Sequence, residues 1–120
     1  MNLNQFERLI VWQKAHQLVL TIYRLSSAFP NEEKYGITSQ IRRSTISIAA
    51  NIVEGYKKRT SKDFRHYLNI AEGSLEETKY YLLLVHDLGF INREKYLQLS
   101  SLSDEIGRML HQLQKHLTTS

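Results

Sequence analysis

Seven basic side chains stand between Gly36 and His66: Arg42, Arg43, Lys57, Lys58, Arg59, Lys62 and Arg65. Only Glu54 and Asp63 oppose them there, whereas the rest of the chain carries nine basic and ten acidic residues. The formal excess of +4 therefore arises in about a quarter of the sequence. Such a cluster attracts a phosphate backbone by releasing its counterions, or it is a solvated surface that keeps the chain soluble. A second constellation is polar. Gln40, Arg43, Ser47, Asn51 and Glu54 fall on one arc of a helix. They make either a solvated face or a hydrogen-bonded seam between subunits, with Arg43 and Glu54 as its charged ends. A third is a pair, Arg59 and His66, with six residues between them. An Arg that stabilises a phosphorane and a His that acts on a 2′-hydroxyl or a leaving group would be ribonuclease chemistry.

Other chemistries lack their residues. The chain has no Cys, which removes disulfides, thiolate metal sites and thiol nucleophiles. No Glu has a His three residues on, so the di-iron site of a helical bundle is missing. His16, His66, His86, His111 and His116 never pair at i, i+4. No Gly-rich dinucleotide loop, P-loop or nucleophile elbow occurs. No metal and no cofactor is expected.

The elements that must position these residues are helices. One Pro and five Gly leave few turns for an all-β fold, and 120 residues make one domain, taken as 1–120. The first helical stretch runs from about Phe6 to Ala28, with Val11, Trp12, Ala15, Leu18, Val19, Ile22, Tyr23 and Leu25 on one face, and Pro30 ends it. The second runs from about Ile37 to Tyr56. Its seam is Ile37, Ile41, Thr45, Ile48 and Ile52, widened by Ile46, Ala49 and Val53. Ser61 reads as the N-cap of a third stretch, whose seam runs from Phe64 to Val85 and which ends at Gly89 as a left-handed cap. Asn92 caps the fourth, with Tyr96, Leu99, Ile106 and Leu110 on its inner face. Gly73 and Gly107 sit mid-helix, where close helix approach would compensate their low propensity. Short connections make these four an antiparallel up-down bundle.

Some apolar residues are left over. Tyr80, Leu83 and Leu84 surround the third helix late in its length, and Ile10 and Leu20 lie off the first helix's main face. They are the expected contacts of a homo-oligomer. No run is long enough to span a membrane, and Met1 to Phe6 do not open a signal peptide, so the expected compartment is the cytoplasm.

Two resemblances add to this reading. The Arg59–His66 spacing resembles the motif of the HEPN ribonucleases, which are also helical bundles. An Asn or Asp usually follows that Arg, and Thr60 stands here. A longer series spans roughly Phe6 to Leu117. It comprises Val11-Trp12-Gln13-Lys14-Ala15, Phe29-Pro30, Tyr35-Gly36, Ser39-Gln40-Ile41-Arg42-Arg43-Ser44, Asn51-Ile52-Val53-Glu54-Gly55, Ile70-Ala71-Glu72-Gly73-Ser74 and Leu88-Gly89. In that order it resembles the four-helix bundle family encoded by intervening sequences in bacterial 23S ribosomal RNA genes. The resemblance implies a homopentameric ring and no enzymatic activity. It also implies kinship with the accessory variability determinant of diversity-generating retroelements, a basic bundle that binds nucleic acid and a reverse transcriptase. Three functions follow in order. The first is a non-enzymatic homopentamer that binds RNA or DNA weakly and without sequence specificity. The second is a structural or protein-interaction module, and the third is a HEPN-like ribonuclease.

Overall fold

A computed structural model describes residues 4–119; Met1 to Leu3, which open the N-terminal stretch, and Ser120 lie outside the described residues. Four helices form: α1 Ile10–Ser26, α2 Ile37–Tyr56, α3 Ser61–Asp87 and α4 Arg93–Thr119. No strand occurs among the described residues. Each helix packs against its neighbours in sequence, and α1 also packs against α4. The pairs run antiparallel. Ser44 meets Thr78 while Ser47 meets Ser74 across α2 and α3, and Lys79 meets Asp104 across α3 and α4. On α1 and α4, Lys14 meets Glu105. The result is an up-down bundle of about 46 × 30 × 23 Å.

The core follows the expected stripes: Leu18, Ile41, Ile48, Leu68, Leu82 and Ile106 are almost wholly buried. Several details differ from the sequence reading. The first helix does not start at Phe6. A 3₁₀ turn, Gln5–Arg8, comes first and Leu9 is extended before α1 begins. Asn4 closes that turn, because the Glu7 carboxylate accepts from the Asn4 backbone N–H at 2.7 Å. Ile46 does not widen the α2 seam but is 42% exposed, and Tyr23 lies outward beneath the Arg42 guanidinium, 4.4 Å from its ring centroid. Thr60, not Ser61, caps α3: its backbone is extended and its hydroxyl accepts from the Asp63 N–H at 3.1 Å. At the other end of α3, Gly89 takes φ +81° as expected, and the Phe90 N–H reaches back to the Val85 carbonyl at 2.8 Å. Asn92 caps α4 by accepting from the Lys95 N–H at 2.8 Å.

Small residues set the closest contact. On α2 and α3 the Thr78 hydroxyl donates to Ser44 at 2.8 Å, and Ser47 and Ser74 share a hydrogen bond of 2.8 Å. Gly55 brings the end of α2 against the start of α3, since a Cβ there would stand 2.8 Å from Tyr67 Cβ. Gly107 likewise faces Leu75, 3.3 Å from the same construction. Gly73 does not fit the expectation of close approach: its Cβ position is open.

The polar arc of α2 is part seam and part surface: Gln40, Arg43 and Glu54 are exposed, and Ser47 and Asn51 are half-buried. Its middle is a seam to α3 within the chain. Arg43 pairs with Glu77, which also accepts from the Tyr81 hydroxyl at 2.7 Å. Gln40 accepts from Arg43 at 3.1 Å, and Asn51 donates to Ser47 at 3.1 Å. Among the described residues Gln40 and Asn51 bond only within α2, and Glu54, at the far end, is exposed.

Candidate nucleic-acid interface

The α2–α3 connection is short and its sequence is Lys57-Lys58-Arg59-Thr60. All four residues are exposed. Two local features fix the turn. Gly55 lets α3 start against the last turn of α2, and the Thr60 cap closes the first turn of α3. Lys58 lies along Tyr67, with Nζ 5.1 Å from the ring centroid. Lys57 and Arg59 extend from the turn into solvent.

Lys62 and Arg65 follow on the first turns of α3. They point around the bundle to α4, where they line a groove of about 770 Å³ with His66, Asn69, Glu72, His111, Gln114, Lys115 and Thr118. Arg65 is half-buried, and its Nε is shut away from water with no hydrogen-bond partner. Lys57, Lys58, Arg59, Lys62, Arg65 and Lys115 make no ion pair among the described residues. Three other cations are paired, Arg43 with Glu77 among them, whereas Arg8, Arg24, Lys34, Arg42, Arg93, Lys95 and Arg108 also make no ion pair among the described residues. Lys14 meets Glu105 at 3.4 Å, and Lys79 bridges Glu76 at 3.3 Å and Asp104 at 3.2 Å.

The seven candidate cations therefore separate into two sets. Five gather at the end of the bundle where α2 turns into α3. Arg42 and Arg43 stand about 22 Å back along α2, at 1.5 Å per residue. There Arg42 donates to Ser26 Oγ at 2.7 Å and to the Tyr23 carbonyl at 3.4 Å, satisfying the C-terminal end of α1. Arg43 is engaged by Glu77, whose hydrogen bond raises the guanidinium's already high pKa. The Tyr81 hydroxyl and then Arg43 hold the Glu77 carboxyl below its ordinary value, and that shared carboxylate raises Tyr81 in turn.

Arg59 and His66 are not drawn into one site. Arg59 is on the exposed turn. His66 is on α3, edge-on to Tyr67 at 5.4 Å, and lines a groove that Arg59 does not. Among the described residues no cluster of His, Asp and Glu is arranged to hold a metal. Of the leftover apolar residues, Ile10, Leu20, Tyr80 and Leu83 are exposed at 42–58%. Leu84 differs: it is half-buried against the chain's own core, because the helix turns that side partly toward its neighbours. No helix among the described residues is long and apolar enough to cross a membrane.

His66, His111 and Lys115 were not singled out from the sequence as binding residues. Lys62 with His66, and His111 with Lys115, are each i, i+4 pairs that share a helix face. What joins the two pairs is the antiparallel register of α3 and α4, which one-dimensional spacing does not carry.

Comparison with known proteins agrees with the fold. No functionally curated protein matches the chain. A crystal structure of a protein of unknown function from the S23 ribosomal protein family, from Bacteroides thetaiotaomicron, superposes with a TM-score of 0.81 at 34% identity, covering 88% of this chain and 99% of that one. The family profile of the 23S rRNA-intervening sequence proteins matches residues 7–112, and the chain belongs to that family.

Proposed function

We propose that this chain is a non-enzymatic cytoplasmic protein that assembles as a homopentamer and binds the backbone of RNA or DNA without reading its sequence. The observation that carries this reading is the group Lys57, Lys58, Arg59, Lys62 and Arg65, collected at one end of the bundle with no carboxylate paired to any of them among the described residues. Cations left unpaired at one pole are available to phosphates, and phosphate contacts give affinity without sequence information. Phe64, the aromatic residue among them, packs against the core, and the half-buried Tyr67 ring lies under Lys58, so backbone contact rather than base stacking is expected. The repeat of this pole in an oligomer raises avidity without new contacts. Exposed Ile10, Leu20, Tyr80 and Leu83 supply apolar surface for that assembly. The separation of Arg59 from the groove of His66 favours binding over cleavage.

Fluorescence anisotropy with a mixed-sequence DNA duplex tests the reading. Binding is expected at 50 mM salt. Replacing Lys57, Lys58 and Arg59 with Gln should flatten the slope of log K against log salt by about 2.7 per engaged subunit. No binding by the wild type at 50 mM salt, or an unchanged slope in the triple variant, refutes it. Light scattering tests the assembly: a mass near 14.1 kDa at micromolar concentration excludes the pentamer. A second reading, a protein-interaction module, rests on the same exposed apolar residues and gains if the pentamer forms but no duplex binds.

A further inference from the structure

We infer that the groove between the start of α3 and the end of α4 is itself a phosphate-backbone site, and that α4 supplies half of it through Lys115 and His111. This inference rests on the nucleic-acid reading above and extends it from the turn to a second helix.

The groove has nitrogen-bearing side chains on both sides, with a cation on each helix. Lys62, Arg65 and His66 come from α3, and His111 and Lys115 come from α4. Along each helix the pairs 62–66 and 111–115 are about 6 Å apart. Because the helices are antiparallel, the Lys62 end of α3 lies toward the C-terminal end of α4, and His111 lies toward Asn69 and Glu72, with which it lines both this groove and the next. Glu72 lines the inner end of this groove and also borders the next one, where Glu76 and Asp104 are engaged by Lys79. The cations Lys62, Arg65 and Lys115 therefore stand in the outer part of the α3–α4 groove, and Glu72 stands at its inner end.

Arg65 carries the argument furthest. Its Nε is buried and has no acceptor, and the guanidinium makes no ion pair among the described residues. A buried donor of a charged group calls for an acceptor, preferably an anionic one. The chain places Arg65 in the wall of an open groove that Lys62, His66 and Asn69 of the same helix also line. An anion entering there meets a planar fork, an ammonium on either helix and a side-chain amide. The groove is lined by no Phe, Tyr or Trp, so it does not grip a base or an apolar ligand. It is also an open trough rather than a closed pocket, which suits a chain of phosphates passing through. The turn cations Lys57, Lys58 and Arg59 immediately precede Lys62 in the chain, so the turn and the groove adjoin at the start of α3.

The test is Lys115→Gln on the full chain, with a 16-base-pair mixed-sequence DNA duplex as probe. Lys115 is exposed and makes no ion pair, so its replacement leaves the helix intact, which the far-ultraviolet circular dichroism melt checks. Loss of one phosphate contact should reduce the salt slope by about 0.9 and weaken binding about 15-fold per engaged subunit at 50 mM salt. Lys115→Arg should bind as wild type. Lys95→Gln, about 30 Å away along α4, should change nothing. If Lys115→Gln binds like wild type while the Lys57, Lys58, Arg59 triple variant is weakened, the track stops at the turn and this inference fails, with the wider reading intact. If the wild type does not bind, or neither variant is weakened, the wider reading fails. An equal loss in Lys95→Gln and Lys115→Gln also overturns the site, since it would report net charge alone.

Discussion

Three glycines on the helices let packing and propensity be weighed against one another. Glycine costs a helix interior about 1 kcal/mol relative to Ala. Gly→Ala is therefore stabilising wherever a methyl group fits. At Gly55 it does not fit. The new Cβ would stand 2.8 Å from Tyr67 Cβ and 2.9 Å from Phe64 Cδ1, with the Phe64 carbonyl at 3.3 Å. Tyr67 Cβ cannot move by changing rotamer, so the start of α3 must shift, at an overpacking cost of about 1–3 kcal/mol beyond the gain. At Gly107 the contact is Leu75 Cδ2 at 3.3 Å, the flexible end of a side chain, and the two effects nearly cancel. At Gly73 nothing lies within 4 Å. The expected order of stability is Gly73→Ala above wild type by about 0.5–1 kcal/mol, Gly107→Ala near wild type, and Gly55→Ala lowest. Urea denaturation with a common m-value measures it, and each kcal/mol corresponds to about 4 °C in Tm for a domain of this size. A Gly55→Ala protein as stable as Gly73→Ala would refute the close approach of α2 and α3 at the turn. In that case the geometry that holds the five cations together would be wrong as well.

Further outcomes follow from single contacts. Thr60→Ala removes the cap on α3 and should cost about 1 kcal/mol in urea melts. Because the capped turn lies between Lys58 and Lys62, it should also raise amide exchange at Lys62 and Asp63. Thr78→Val leaves Ser44 its bond to the Ile41 carbonyl but removes the α2–α3 link, and should cost about 1 kcal/mol. Glu77 is held below its ordinary pKa of 4.5, so its contribution is present above that value and is lost as pH falls through the folded value. Stability measured from pH 6 to pH 3 should therefore decline less steeply in Glu77→Gln than in wild type. Equal slopes in that window would refute the Tyr81–Glu77–Arg43 link.

Much of the fold was legible because the hydrophobic period fixes which face of each helix turns inward. The spacing of Ile37, Ile41, Ile48 and Ile52 places α2 without ambiguity, and Gly89 and Asn92 mark the α3–α4 junction by the conformations they permit. Boundaries set by competing caps were less legible. Thr60 and Ser61 are both good cap residues, and only the extended backbone at Thr60 decides between them. Periodicity also places a residue on a face without saying what that face meets. Arg43, Ser47 and Asn51 share an arc that the sequence left between solvent and a second subunit, and the structure turns its middle toward Ser74 and Glu77 of α3. The same limit governs the basic residues. Counted along the chain, Arg42 and Arg43 belong with Lys57 to Arg65, but they stand in the first half of α2 and about 22 Å of helix separates the two sets.

Electrostatic function in a bundle depends on which charges remain after the helices have paired. α1, α2, α3 and α4 use Lys14, Arg43 and Lys79 to tie neighbours together, and each has a carboxylate within reach. At the α2–α3 turn the carboxylates are absent from the pairing. Glu54 is exposed one turn before the cluster, and the Asp63 backbone N–H closes the Thr60 cap while its side chain makes no ion pair. The outer α3–α4 groove continues the same condition, with Arg65 half-buried, its Nε unpartnered and Lys115 opposite. A net charge of only +4 is compatible with a basic cluster at this pole, because the rest of the chain carries nine basic and ten acidic residues. It is this polarity, rather than the total charge, that a phosphate backbone would encounter.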